Sequence, residues 1–350
     1  MDLVAHDRPD NNPFRSLLLL TNAHPFLQEV IVAVSAAHMC NLARPWLSPD
    51  SFDRKEPPRQ LLMDALKAKQ QALQLMPSAL ENIDSIGADV ILAAILFFVN
   101  AELVESGWQS WRPHLEGAKK LLNMMQPYAS FSETLRDYVV SDFYVYCTLS
   151  LSFNPTMPGV QTAFFSPTQV NPTLSRATNN FFCCPAEVLD ILREAAQLLN
   201  TEGDKQVADD VMLSSFAALL KRAQNVDVLT WAREGVSPYE ETEIQSRFLT
   251  GSAHRLATCL YIIQSTPALT ERVPDKVCET LIRDIYDTLS PMPDDDPNFK
   301  ATGWPTFIYG TTATTPELRA WILWGLDAEG KRTTNWIQQL KDLNVDFLMV

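Results

Sequence analysis

Helical periodicity runs through almost the whole chain, and the residues that would break it into hairpins are scarce. Only 11 glycines occur in 350 residues, so tight β-hairpin turns are few. The 23 prolines fall mainly between periodic stretches, where a proline ends a helix by removing a donor and crowding the preceding turn. His24-Pro25 opens a helix running to about residue 44, and Pro45 closes it. Its apolar residues Phe26, Val30, Val32, Val34, Ala37 and Met39 cover most of its circumference, which predicts a well-buried helix.

Further helices follow by the same reasoning at residues 59–76, 88–105, 108–125 and 131–153. In the second half they fall at 185–200, 206–233, 239–264, 273–289, 304–312, 316–326 and 334–347. The second of these places Leu61, Leu62, Ala65, Leu66, Ala72, Leu73 and Leu75 largely at three- and four-residue spacing. No segment alternates as a strand would, and no heptad pattern is long enough for a coiled coil. The expected fold is all-α, a multi-helix bundle of roughly twelve helices forming a single large domain over residues 1–350. Residues 154–183 are rich in Pro, Thr, Ser and Asn. They read as a linker or surface lid between possible halves 1–153 and 184–350.

Hydrophobic residues make up 46% of the chain, enough for a large core. The net charge of -14 works against direct contact with nucleic acid, because phosphates are neutralised by an excess of lysine and arginine. The local pairs Lys119-Lys120, Lys221-Arg222 and Lys331-Arg332 read as solvated helix faces. Met1 is followed by Asp2, His6, Asp7, Arg8 and Asp10, unlike a secretion signal. The longest apolar run, Val90 to Val99, is too short to span a bilayer. A nuclear or cytoplasmic protein without membrane contact is expected. The six cysteines have no CxxC spacing, and Cys183-Cys184 are adjacent, so reduced buried thiols are expected rather than zinc ligands or disulfides.

Four segments together resemble the fungal-specific transcription factor domain, the regulatory region that follows a zinc cluster in many fungal activators and repressors. The first is Asn12-Pro13-Phe14-Arg15, His24-Pro25-Phe26-Leu27 and Val34-Ser35-Ala36-Ala37-His38; the second is the helix carrying Gln70, Gln71, Ala72 and Leu73. The third is Trp111-Arg112-Pro113-His114-Leu115-Glu116-Gly117-Ala118; the fourth is Trp304-Pro305-Thr306-Phe307-Ile308-Tyr309-Gly310, then Pro316-Glu317-Leu318-Arg319. In the third, Trp111, His114, Leu115, Ala118, Leu121 and Leu122 share one helix face. His114 and His38 then read as core histidines. Gly117 costs about 1 kcal/mol against alanine in a helix, which suggests that another helix approaches closely there. Trp304-Pro305 reads as the start of a short buried helix.

The resemblance implies a transcription-factor-like regulator working through protein partners, as a homo- or heterodimer, or through an apolar small molecule, in fungal secondary metabolism. Family members carry six zinc-binding cysteines in a basic leading segment. Residues 1–24 hold no cysteine and only Arg8 and Arg15 as basic residues, so the expectation is a regulator without its own DNA reader and without a cofactor. Some fungal proteins resembling this domain are instead noncanonical sesquiterpene cyclases of the humulene-forming kind. That alternative would need Mg²⁺ held by side chains such as Asn100, Glu102 and Glu105, with His254 and Arg255 as candidate catalytic groups acting on farnesyl diphosphate. No nucleophile-elbow, phosphate-loop, dinucleotide-binding or HExxH motif occurs.

Overall fold

Asn12 accepts the amide of Phe14 at 3.0 Å and starts a 3-10 helix, Pro13–Leu20. Its cap side chain satisfies a donor that the first turn leaves free. This helix opens a computed structural model that describes residue 4 and residues 12–42, 59–105, 111–124, 130–153, 173–174, 180–200, 209–234, 240–293 and 295–312. The α-helices are α1 (Pro25–Leu42), α2 (Arg59–Glu81), α3 (Ile83–Ile86), α4 (Ala88–Glu105), α5 (Arg112–Met124) and α6 (Glu133–Phe153). They continue as α7 (Ala186–Asn200), α8 (Asp209–Asn225), α9 (Val228–Arg233), α10 (Glu241–Gln264), α11 (Pro267–Thr270), α12 (Asp275–Leu289) and α13 (Gly303–Gly310). The fold is all-α; among the described residues the only β-type pairing is an isolated bridge, Val4 with Asn180. Most of the expected linker, and the helices expected at 316–326 and 334–347, lie outside the described residues, as do Lys331-Arg332.

The chain divides into two units, one holding residues 7–143 and the other residues 144–325 with residues 4–6. In the first, α4 is the apolar centre: every residue from Val90 to Val99 is buried. The α1 and α4 helices pack together, α1 also packs on α2, and α5 packs on α4. Phe14 anchors the 3-10 helix against Phe97 at 5.9 Å and Tyr138 at 6.4 Å between ring centroids. The α1–α2 seam is built from small side chains, with Ala36, Ala37 and Ala65 forming one cluster. Alanines let two backbones approach closely, and Ala68, Ala72 and Ala79 continue the buried side of α2. Its leucines do something else: Leu66, Leu73, Leu75 and Leu80 are exposed. On α1, Val32 and Met39 are also exposed, so that helix is less enclosed than its composition predicts.

A tight corner joins α3 to α4. Gly87 has φ +100° there, a region that side chains disfavour. A Cβ at Gly87 would also sit 2.8 Å from Asp89 Oδ1. Asp89 is fully buried and accepts the amides of Phe131 at 2.8 Å and Ser132 at 2.7 Å. It thereby fixes the chain just before α6, whose first turn is capped by Ser132 Oγ accepting from Leu135.

In the second unit α10 is the hub, packing against α7, α8, α9, α12 and α13. Gly251 makes the approach of α9 possible. A Cβ there would meet the Trp231 ring at 2.6 Å and Val228 at 2.9 Å. The expected single helix over 206–233 is divided into α8 and α9, because Asp227 accepts from the Thr230 amide at 3.0 Å and caps a fresh helix.

Gly117 behaves differently from expectation. A Cβ at Gly117 would meet nothing within 4 Å, so no close approach explains it. Gly117→Ala is therefore expected to stabilise the chain by about 1 kcal/mol through helix propensity alone, read as a higher urea midpoint at unchanged slope.

Candidate functional site

Three buried polar junctions hold the residues of interest. The first lies between α2, α4 and α5. Glu102 is 6% exposed, because the apolar α4 carries it inward, and Lys69 Nζ of α2 meets its Oε1 at 2.6 Å. His114 Nε2 stands 3.8 Å from the same oxygen. The His114 ring lies flat on Phe98, with centroids 5.1 Å apart and planes 9° from parallel. Glu102 is thus an ion-paired interior carboxylate rather than a solvated helix end. Asn100 donates to the Leu96 carbonyl at 2.9 Å, and the Glu105 side chain lies outside the described residues. One turn along α5, Lys119 is 2% exposed and binds Glu116 Oε1 at 2.6 Å. It is buried rather than on a solvated basic face, whereas its partner Glu116 and its neighbour Lys120 reach water. Lys221 and Arg222 are exposed as expected, and Arg222 pairs with Glu194 at 2.7 Å.

The second junction joins α6 to α7. The Tyr144 hydroxyl donates to Asp190 Oδ1 and accepts from Arg193 Nε at 2.8 Å. Arg193 Nε stands 3.6 Å from Asp190, and its Nη1 donates to Gln197 at 2.9 Å. All three members are buried. Burial first, and the Asp190 carboxylate second, push the Tyr144 phenol far above its ordinary value. The i, i+3 spacing of Asp190 and Arg193 is visible in the sequence; their tyrosine partner, 46 residues before Asp190, is not.

The third junction lies between α10 and α13. His254, Thr258 and Tyr261 fall at i, i+4 and i+7 on one face of α10. Trp304 of α13 lies across that face, with its ring centroid 6.0 Å from His254 and 6.3 Å from Tyr261. Phe182 covers His254 from another side at 4.3 Å. His254 Nε2 meets the Ala301 carbonyl at 3.0 Å. As expected, Trp304 starts a short buried helix. Arg255, the next residue, points away and donates to the Gln224 carbonyl at 3.0 Å, near the end of α8. Desolvation lowers the His254 pKa to about 3, against the opposing effect of its backbone partners. The ring is neutral at physiological pH and exchanges no proton there.

This burial has a pH consequence. An unfolded histidine takes up a proton below about 6.5, whereas folded His254 resists protonation until about pH 3. Its contribution to stability is full above 6.5 and is lost as pH falls through that window, with a slope of up to about 1.4 kcal/mol per unit. Urea midpoints should drop more steeply with acidification for the native chain than for His254→Gln.

Asn100 and Glu102 belong to the first unit, His254 and Arg255 to the second. Among the described residues no group of three or more His, Cys, Asp or Glu side chains is placed to hold a metal ion. None of the six cysteines is in a disulfide; Cys40, Cys147, Cys183 and Cys259 are buried. No helix among the described residues is long and apolar enough to cross a membrane.

The first two junctions use buried charge to fasten one helix to the next, and the class of fold that all three belong to is all-α and multi-helical. The chain belongs to the family described as the fungal specific transcription factor domain, whose model matches residues 2–342. It is 29% identical over 335 residues to the acriflavine sensitivity control protein acr-2 of Neurospora crassa. That similarity covers 92% of this chain and 55% of the relative, so the chain spans about half the length of this curated relative. No solved structure matches.

Proposed function

We propose that these residues form the regulatory domain of a fungal transcription regulator, acting through protein partners or a small-molecule effector and not by gripping DNA. The observation that carries this reading is the net charge of -14 on a chain of the transcription factor domain family. Such a charge repels a polyphosphate and leaves protein contacts as the route to a promoter. The relative is named for control of sensitivity to acriflavine, which supports a role in the response to a small molecule. A nuclear site of action follows from the same reading, and a setting in secondary metabolism rests on the motif resemblance.

The test joins the full chain to an unrelated DNA-binding module and measures a reporter, with duplex binding of the chain alone measured in parallel. The expected result is altered transcription when tethered and no nanomolar duplex binding at physiological salt. Tight binding by the isolated chain, or no effect of tethering, would overturn it.

A further inference from the structure

The α2 helix has two apolar sides, and among the described residues only one is used inside its own unit. Ala65, Ala68, Ala72 and Ala79 face the core. On a different side, Met63, Leu66, Leu73 and Leu80 are 55%, 46%, 42% and 43% exposed. These four stand at i, i+3, i+10 and i+17, and Gln70 and Pro77 complete the series at i+7 and i+14. Alternating steps of three and four residues draw a straight seam along a helix, the spacing by which one helix packs on another. The seam is about 26 Å long at 1.5 Å per residue. It is too short for the sequence alone to mark as a coiled coil; the exposure reveals it. Pro77 at the fifth position adds no polar side chain to the seam.

The charges beside the seam say what fits on it. Arg59 and Lys67 are exposed at its start; Glu81 and, in the first turn of α3, Asp84 are exposed at its end. No charged residue lies between Lys69 and Glu81. Lys69 is engaged with Glu102, and Asp64 is turned to the polar side, accepting from Gln60 at 2.8 Å. The seam thus has a positive start and a negative end. A second α2 laid antiparallel meets this pattern with its complement. In the register that pairs Met63 with Leu80 of the second copy, Arg59 comes within a turn of Glu81. Parallel pairing would set like charges together.

We infer that the exposed seam of α2 is a self-association surface on which a second copy of this chain docks, antiparallel about a two-fold axis. Such isologous contacts use one patch twice. The pairing stands on α2 and the start of α3 and does not depend on the regulatory reading. One helix pair is small beside the roughly 1,600 Å² of a stable complex, so association in the micromolar range is expected.

Sedimentation of the full chain from about 1 to about 100 µM at low salt tests it. The native chain should show a concentration-dependent dimer. Leu66→Lys with Leu73→Lys should weaken it at least about tenfold while thermal unfolding stays unchanged, since both residues are exposed. Arg59→Glu with Lys67→Glu, and separately Glu81→Lys with Asp84→Lys, should each fail to self-associate, and an equal mixture of the two variants should form a heterodimer. A native chain that stays monomeric throughout would overturn the inference, whether another segment or another protein covers the seam. So would a dimer indifferent to the leucine pair, or a mixture that does not restore association.

Discussion

Replacing Asp190 with alanine will destabilise the second unit by about 3–5 kcal/mol. Asp190 is 4% exposed, and its partner Arg193 is 7% exposed. The carboxylate accepts the Tyr144 hydroxyl and stands 3.6 Å from the guanidinium. Without it, the described partners left to Arg193 are the neutral Tyr144 and Gln197, and a buried cation without a counter-charge loses far more than the pair was worth. Replacing both ends together, Asp190→Leu with Arg193→Met, should cost much less than Asp190→Ala, because no charge is then stranded. Urea unfolding of the single and double variants measures both. A loss below about 1 kcal/mol for the single variant would mean that the pair is worth no more than a solvent-exposed one.

Asp89→Ala ranks next, with an expected loss of about 2–4 kcal/mol. Asp89 is fully buried and receives two backbone amides, from Phe131 and Ser132. Removal strands both donors. An asparagine in its place keeps one acceptor oxygen, so Asp89→Asn should fall between the native chain and the alanine variant. The effect has an address: amide exchange at Phe131 and Ser132 should rise before the rest of the unit opens. If exchange there does not change, the corner is held by something other than this carboxylate.

The fold is legible in particular places. The α4 helix is readable from end to end because Gly87 marks its start and an unbroken apolar run cannot be placed anywhere but inside. The cap at Asp227 is also written in the chain, yet the periodicity of the flanking residues hides the break between α8 and α9. Two glycines mark where sequence reasoning ends. Gly117 and Gly251 both sit within helices, but only Gly251 faces a ring, that of Trp231, and nothing in the spacing distinguishes them. The same limit applies to α2. Its alanines and leucines are both apolar, and pattern alone does not say which side meets α1. Small residues win the core side because they permit the closer approach.

The candidate site is less legible for the same physical reason. Residue type singles out Asn100, Glu102, His254 and Arg255, whereas their surroundings decide what they do. The depth of Glu102 depends on Lys69 arriving from another helix. The neutrality of His254 depends on Phe182 and Trp304. Partners so distant along the chain are set by packing, which periodicity does not encode.

The hidden sulfurs offer a handle on this architecture. Cys40 is enclosed in the first unit, and Cys147, Cys183 and Cys259 in the second, with burial raising the Cys183 and Cys259 thiols to about 12 and about 11. An alkylating reagent attacks only an ionised, reachable sulfur. Each of these positions therefore stays unlabelled until its own neighbourhood opens, and the order in which the four acquire mass would chart which part of the molecule loosens first.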